Sequence, residues 1–313
     1  MTARLKRVTI RESLEMLAGS RLLASEGGND VLPVLAALAP PGTVYCVNSV
    51  TGVDTNPGKS WGTPLLTITA AAALAVAGDT ILIKGSFTEA VTISVAGVSI
   101  IGAGTTPKQS QWTAAADAVC LTLAAEHCRV ENIYFRPPAY AANRATSAIT
   151  LSNAGHSRII GNRFQGKTGS QIAIYSPVCN SDNVHIIGNE FYYLNTVTYG
   201  AAILGVEAGG LSYSGWRIER NVFNSCVIAI DINGRCCHIL ENVIATAGIA
   251  ATGAGGTVLA LGIDLSGTSS YGNQVHRNNL GGAYNATLYK IGATGDDWGG
   301  NFNIAGLTAA NPA

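Results

Sequence analysis

Ile159-Ile160-Gly161-Asn162-Arg163-Phe164 returns along the chain in four further versions. They are Ile186-Ile187-Gly188-Asn189-Glu190-Phe191, Ile218-Glu219-Arg220-Asn221-Val222-Phe223, Ile239-Leu240-Glu241-Asn242-Val243-Ile244 and Val275-His276-Arg277-Asn278-Asn279-Leu280. Val130-Glu131-Asn132-Ile133-Tyr134-Phe135 fits the same frame with Ile133 at the Asn position. The Asn-to-Asn steps are 27, 32, 21 and 36 residues. A constant motif on a loose period in this range marks a solenoid, with insertions falling between its coils. Within the motif, the β-branched residue suits a strand. Asn tolerates left-handed backbone and bonds nearby main chain, which suits the bend. The large apolar residue two positions on starts the next strand and points inward. Coils stacked about 4.8 Å apart turn Asn162, Asn189, Asn221, Asn242 and Asn278 into a ladder, each amide bonding the next.

Length and composition agree with one elongated domain. The 313 residues include 37 glycines, only 12% are charged, and the two signs balance at 19 each. Zero net charge gives no support for nucleic-acid binding. No apolar run is long enough for a membrane span. The N-terminus, with Arg4, Lys6, Arg7, Arg11, Glu12 and Glu15, lacks the apolar run of a secretory signal. The seven cysteines (Cys46, Cys120, Cys128, Cys179, Cys226, Cys236, Cys237) are odd in number and not spaced as metal ligands. They read as mostly small buried hydrophobes in a reducing compartment, with a Cys236–Cys237 vicinal pair as the alternative. No metal or cofactor is expected.

Residues 1–42 stand outside the repeat. Thr9-Ile10-Arg11-Glu12 is a capping-box pattern, and Ile10, Leu14, Leu17 and Ala18 follow at helical spacing. A second short helix is expected from Asn29 to Ala39, with Leu35 and Leu38 apolar, before Pro40-Pro41-Gly42 stops it. Two such short helices cannot form a core of their own. They either fold back on the solenoid or anchor it to a partner. Residues 43–304 read as the solenoid and 305–313 as a tail across its open end. Long loops are expected at Pro137–Thr146, Gly205–Gly215 and Gly248–Thr257, with a last degenerate coil at Asp296–Asn301.

The start of the solenoid carries Val44-Tyr45-Cys46-Val47-Asn48, then Gly52-Val53-Asp54-Thr55-Asn56-Pro57-Gly58, an Ala-rich helix from about Thr69 to Val76, Gly78-Asp79-Thr80-Ile81 and Phe87-Thr88-Glu89-Ala90-Val91-Thr92-Ile93. This run resembles the opening coils of right-handed parallel β-helix proteins of the pectate-lyase-like superfamily, including phage virion and tailspike members. The resemblance covers about residues 44–303. It implies an all-β, right-handed parallel β-helix whose core is plugged at its N-terminal end by the Ala-rich helix. It says little of function, since unrelated activities share the fold.

Two outward columns carry candidate chemistry. Four residues before each ladder position stand Arg129, Arg158, His185, Arg217, His238 and Gln274, a basic stripe suited to an acidic glycan or partner. Its bland alternative is a solvated strand face with packed aliphatic stems. The first-strand column reads Thr150, Tyr175, Leu204, Asp231, Asp264 and Tyr289. Asp231 and Asp264 on adjacent coils would stand near the carboxylate separation that retaining glycosidases use. Tyr175 and Tyr289 are candidate glycan contacts. No polygalacturonase-like Asn-Thr-Asp or Gly-His-Gly motif is present, and no pectate-lyase-like calcium-binding Asp cluster with an arginine base. The expected function is therefore a non-enzymatic structural protein of a phage virion surface (decoration protein, head fibre or spike). It would be held to a capsid or tail protein through residues 1–42, made in the host cytoplasm, and contact cell-surface polysaccharide. The resemblance adds a homotrimer. The alternative is a polysaccharide-degrading tailspike, or a glycan lyase or hydrolase, using Asp231 and Asp264 or the basic stripe.

Overall fold

The computed structural model describes residues 42–113, 118–136, 147–166, 172–194, 201–206, 212–246, 252–253, 256–257, 261–282, 289–290, 295–303 and 308–309. The expected N-terminal helices and most of the three long loops lie outside them.

Each coil supplies three short strands, and each strand pairs in parallel with its counterpart one coil on. The first sheet holds the segment before each ladder position. Ser99–Gly102, Arg129–Glu131, Arg158–Ile160, His185–Ile187, Arg217–Glu219, His238–Leu240, Gln274–His276 and Asp297–Gly299 follow one another in register. The second sheet holds the segment after it, from Ser110–Thr113 through Tyr134–Arg136, Arg163–Gln165, Glu190–Tyr192, Val222–Asn224, Val243–Thr246 and Asn279–Gly282. The third runs from Val91–Ile93 and Leu121–Leu123 through Ser147–Leu151, Ile172–Ser176, Ala201–Gly205, Ile228–Ile232 and Leu261–Asp264 to Tyr289–Lys290. The fold is a parallel β-helix.

Alternation along each strand builds the core. Inward columns such as Ile100, Val130, Ile159, Ile186, Ile218, Ile239 and Val275 are fully buried. In the second sheet Trp112, Phe135, Phe164, Phe191 and Phe223 form one continuous ring stack, with successive centroids 5.7, 5.2, 4.9 and 4.7 Å apart. Offset stacking at this spacing adds to the apolar burial of each ring.

The ladder sits at the corner between the first two sheets. Oδ1 of Asn189 accepts from the backbone N–H of Asn162 at 2.9 Å and from its Nδ2 at 3.1 Å. The same double bond joins Asn189 to Asn221, Asn221 to Asn242, Asn242 to Asn278 and Asn278 to Asn301. Each Nδ2 also donates to a strand carbonyl, such as Ile159 for Asn189. The bend is made differently from the sequence expectation. The left-handed residue is not the Asn but the one before it: Gly161, Gly188, Arg220, Glu241 and Arg277 have φ of 60, 65, 54, 58 and 55°. The Asn is needed for its amide, which spans two coils. Ile133 occupies the Asn position one coil earlier and offers only its N–H, which donates to Asn162 Oδ1 at 3.0 Å.

At the N-terminal end, helix α1 (Ile68–Leu74) buries Ile68 and Ala71 against the first coil. Its first turn is held by Glu89, whose carboxylate accepts from Ile68 N, Thr69 N and Thr69 Oγ1. Asp79, only 1% exposed, accepts from Thr43 N and Val76 N. These bonds explain the acidic positions of the opening motif. At the other end, Asp297–Gly299 continues the first sheet and Asn301 the ladder, while Thr308–Ala309 pairs antiparallel with Phe302–Asn303. The remainder of the tail lies outside the described residues.

Candidate functional site

Cross-coil register brings Arg129, Arg158, His185, Arg217, His238 and Gln274 into one column on the outer face of the first sheet. Their charges are not equally available. Arg129 is ion-paired with Glu131 two residues along its own strand, and Arg217 with Glu219, Nε to Oε1 at 2.8 Å. On the two coils between them the equivalent positions are Ile160 and Ile187. Arg158 and His185 therefore face solvent with apolar neighbours where the flanking coils carry carboxylates. Within the basic stripe read from the sequence, Arg158 is thus an arginine without an in-strand carboxylate, and His185 stands beside it one coil on, a two-coil window between Glu131 and Glu219.

A second pair of residues widens the window. His127 and His156 each precede a strand by two positions, and both have φ of 59°. Left-handed backbone turns the chain tightly here, and the turn is tied coil to coil by His127 N donating to Gly155 O and His156 N donating to Asp182 O. Both side chains project outward and their rings stack, centroids 4.9 Å apart and planes 13° from parallel. With Ser99, Cys128, Arg129, Arg158, Asn183 and His185 they line a groove of about 450 Å³. Sequence reasoning passed over this pair, although the recurrence of His two residues before Arg (His127/Arg129, His156/Arg158) was visible. Burial, then the neighbouring Arg217 and Arg158, holds the His185 imidazole below its ordinary range. An anion in the groove would reverse the effect of the two arginines.

In the third sheet the register pairs Asp231 with Asp264, Leu204 with Asp231 and Tyr175 with both Thr150 and Leu204. Two particulars differ from the sequence reading. Tyr289 pairs with Ile263, so the residue beside Asp264 is Lys290. The one-residue shift follows the alternation of the strand, which puts neighbouring residues on opposite faces. Asp264 is 7% exposed and its Oδ1 accepts from Ser266 N at 3.0 Å and Ser266 Oγ at 2.6 Å. That carboxylate is occupied in shaping its own turn. Asp231 is half-buried beside it.

Cys46, Cys120, Cys128, Cys226 and Cys237 are buried, Cys179 is half-buried and Cys236 is exposed. Burial pushes the Cys226 and Cys237 thiols up to about 12, so they act as small apolar side chains. Among the described residues no group of three or more His, Cys, Asp or Glu is placed to hold a metal, and no helix is long and apolar enough to cross a membrane.

No family model and no curated protein matches this chain. Solved structures do. A rhamnogalacturonan lyase is 13% identical over 83% of this chain and 62% of its own, with a TM-score of 0.45. Pectate lyase Pel9A is 18% identical over 86% of this chain and 81% of its own, TM-score 0.41. The Dettilon tailspike protein is 11% identical over 94% and 74%, TM-score 0.45. This chain thus spans less than two thirds of the rhamnogalacturonan lyase chain.

Proposed function

We propose that this protein is a non-catalytic rod of a virion surface that binds an anionic polysaccharide on the outer face of its first sheet. The observation that carries the binding reading is the window at Arg158 and His185. Arginine and imidazole there lack the in-strand carboxylates that neutralise Arg129 and Arg217, and the stacked His127 and His156 border it. A polyanion pairs with Arg158 and favours the protonated form of His185, which burial and the neighbouring arginines otherwise disfavour. Assembly as a homotrimer and attachment to a capsid or tail protein through residues 1–42 belong to the same proposal. The attachment rests on the short amphipathic pattern of that segment, and the trimer on the resemblance to phage β-helix proteins.

The test is titration of the protein with heparin and with neutral dextran at two salt concentrations. Heparin binds, with an affinity that falls as salt rises, and dextran does not. Arg158→Ser weakens heparin binding by about tenfold, the equivalent of 1.4 kcal/mol. Arg129→Ser, whose guanidinium is already paired with Glu131, weakens it less. Equal loss in the two variants, or equal binding of dextran, overturns the reading.

A second reading stays open because the register sets Asp231 beside Asp264: cleavage of the glycan by this pair on the third sheet.

A further inference from the structure

The two coils that carry the window also carry a second cleft, at the other end of the same strands. Gly161 and Gly188 follow Ile160 and Ile187, are left-handed, and have open space where a Cβ would stand. They floor a cleft of about 440 Å³ walled by Thr106, Pro107, Lys108, Arg163 and Glu190. That volume lies in the range of small-ligand sites. Arg163 is set for a ligand. Its guanidinium lies over the Tyr192 ring, 4.7 Å from the centroid, its contact with Glu190 is loose at 3.7 Å, and its buried Nε has no hydrogen-bond partner. The surface of these coils therefore runs from Arg158 and His185, across the half-buried Ile160 and Ile187, over two bare glycines, to Arg163 and Lys108. The coils on either side break this order. One carries Glu131 in place of the isoleucine, and the other carries Glu219 followed by Arg220, whose side chain stands where the glycines leave the floor open.

We infer that the anionic glycan crosses the coils along these strands rather than running from coil to coil, with Arg158 at one end of its path and Arg163 and Lys108 at the other. From Arg158 to Gly161 is three residues of extended chain, roughly 10 Å. A disaccharide covers about that length, so reaching Arg158 and the cleft of Arg163 and Lys108 together takes a longer oligosaccharide. Between the ends, the two isoleucines offer an apolar step for the C–H face of the intervening sugar. This inference rests on the reading that the first sheet takes an anionic polysaccharide, and adds to it a direction and a second cationic end.

The experiment uses the full chain and hyaluronan oligosaccharides, in which acid and neutral sugars alternate. The hexasaccharide binds at least tenfold more tightly than the disaccharide. Gly161→Asn and Gly188→Asn fill the cleft with a residue that accepts left-handed backbone. The double variant cuts hexasaccharide affinity by about tenfold while leaving disaccharide affinity unchanged. Lys108→Ser, on an exposed turn, lowers hexasaccharide affinity in the same direction and serves if the glycine variant melts early. Hexasaccharide binding that depends on Arg158 but ignores the glycine and lysine variants overturns the crossing path and leaves the anion-binding face standing. Binding indifferent to Arg158→Ser, or no binding of any oligosaccharide, overturns both.

Discussion

Replacing Asn189 by Ala tests how much the ladder contributes. Asn189 is fully buried. Its Oδ1 accepts from Asn162 N and Asn162 Nδ2, and its Nδ2 donates to Ile159 O and Asn221 Oδ1. Without the amide, Asn162 N–H has no acceptor inside the coil. Asn162 Nδ2 keeps Val130 O, and Asn221 Oδ1 keeps the backbone N–H of residue 189. One orphaned buried donor costs about 1–3 kcal/mol, and the weakened groups add to it, for a loss of about 2–4 kcal/mol. At the usual unfolding entropy per residue this lowers Tm by about 4–7 °C. The control is Asn279→Ala, an exposed asparagine next in sequence to ladder residue Asn278, where a change within about 0.5 kcal/mol is expected. Asn189→Asp keeps the shape but replaces two donors by a charge among carbonyls, and destabilises at least as much as Ala. Calorimetry on the three variants measures the shifts. Equal Tm for Asn189→Ala and Asn279→Ala refutes the reasoning.

Three further outcomes are expected. Because the His185 imidazole is held below its ordinary range of about 6.5 by burial and then by Arg217 and Arg158, a bound anion favours its protonated form. Heparin affinity rises as pH falls below 6.5. Without ligand, stability present above that value is lost as pH falls toward the depressed folded pKa. His185→Gln flattens both profiles, and unchanged profiles remove His185 from the site. If the cleavage reading on the third sheet holds, incubation with the protein shortens the bound polysaccharide, and Asp231→Asn and Asp264→Asn each stop it. A polysaccharide of unchanged length after prolonged incubation supports the binding rod instead. Light scattering of the full-length protein gives the mass of a trimer, and deletion of residues 1–42 leaves a folded β-helix that no longer attaches to its particle. A monomeric mass at high concentration refutes the trimer.

The repeat frame was legible in the residues because a solenoid core is local. Each coil needs the same inward Ile or Val, the same Asn and the same inward aromatic, so a period appears in the sequence. The outward column from Arg129 to Gln274 was legible for the same reason: a fixed offset from the ladder fixes the face. What the sequence could not state is which charges remain free. That depends on neighbours two residues along a strand and one coil away together, as with Glu131 and Glu219 against Ile160 and Ile187. The His127–His156 stack depends on two left-handed turns being superposed. The corner cleft depends on Thr106–Lys108 coming back over glycines more than fifty positions later. The shift of Tyr289 out of the Asp264 column has a like cause. The sequence at 283–288 carries no copy of the repeat to count from, so only pairing between coils sets the register of Tyr289. Residue periodicity determined the coil and its inward and outward faces. Stacking of coils decided which outward groups meet, because contact across a solenoid joins residues that no fixed spacing in the chain connects.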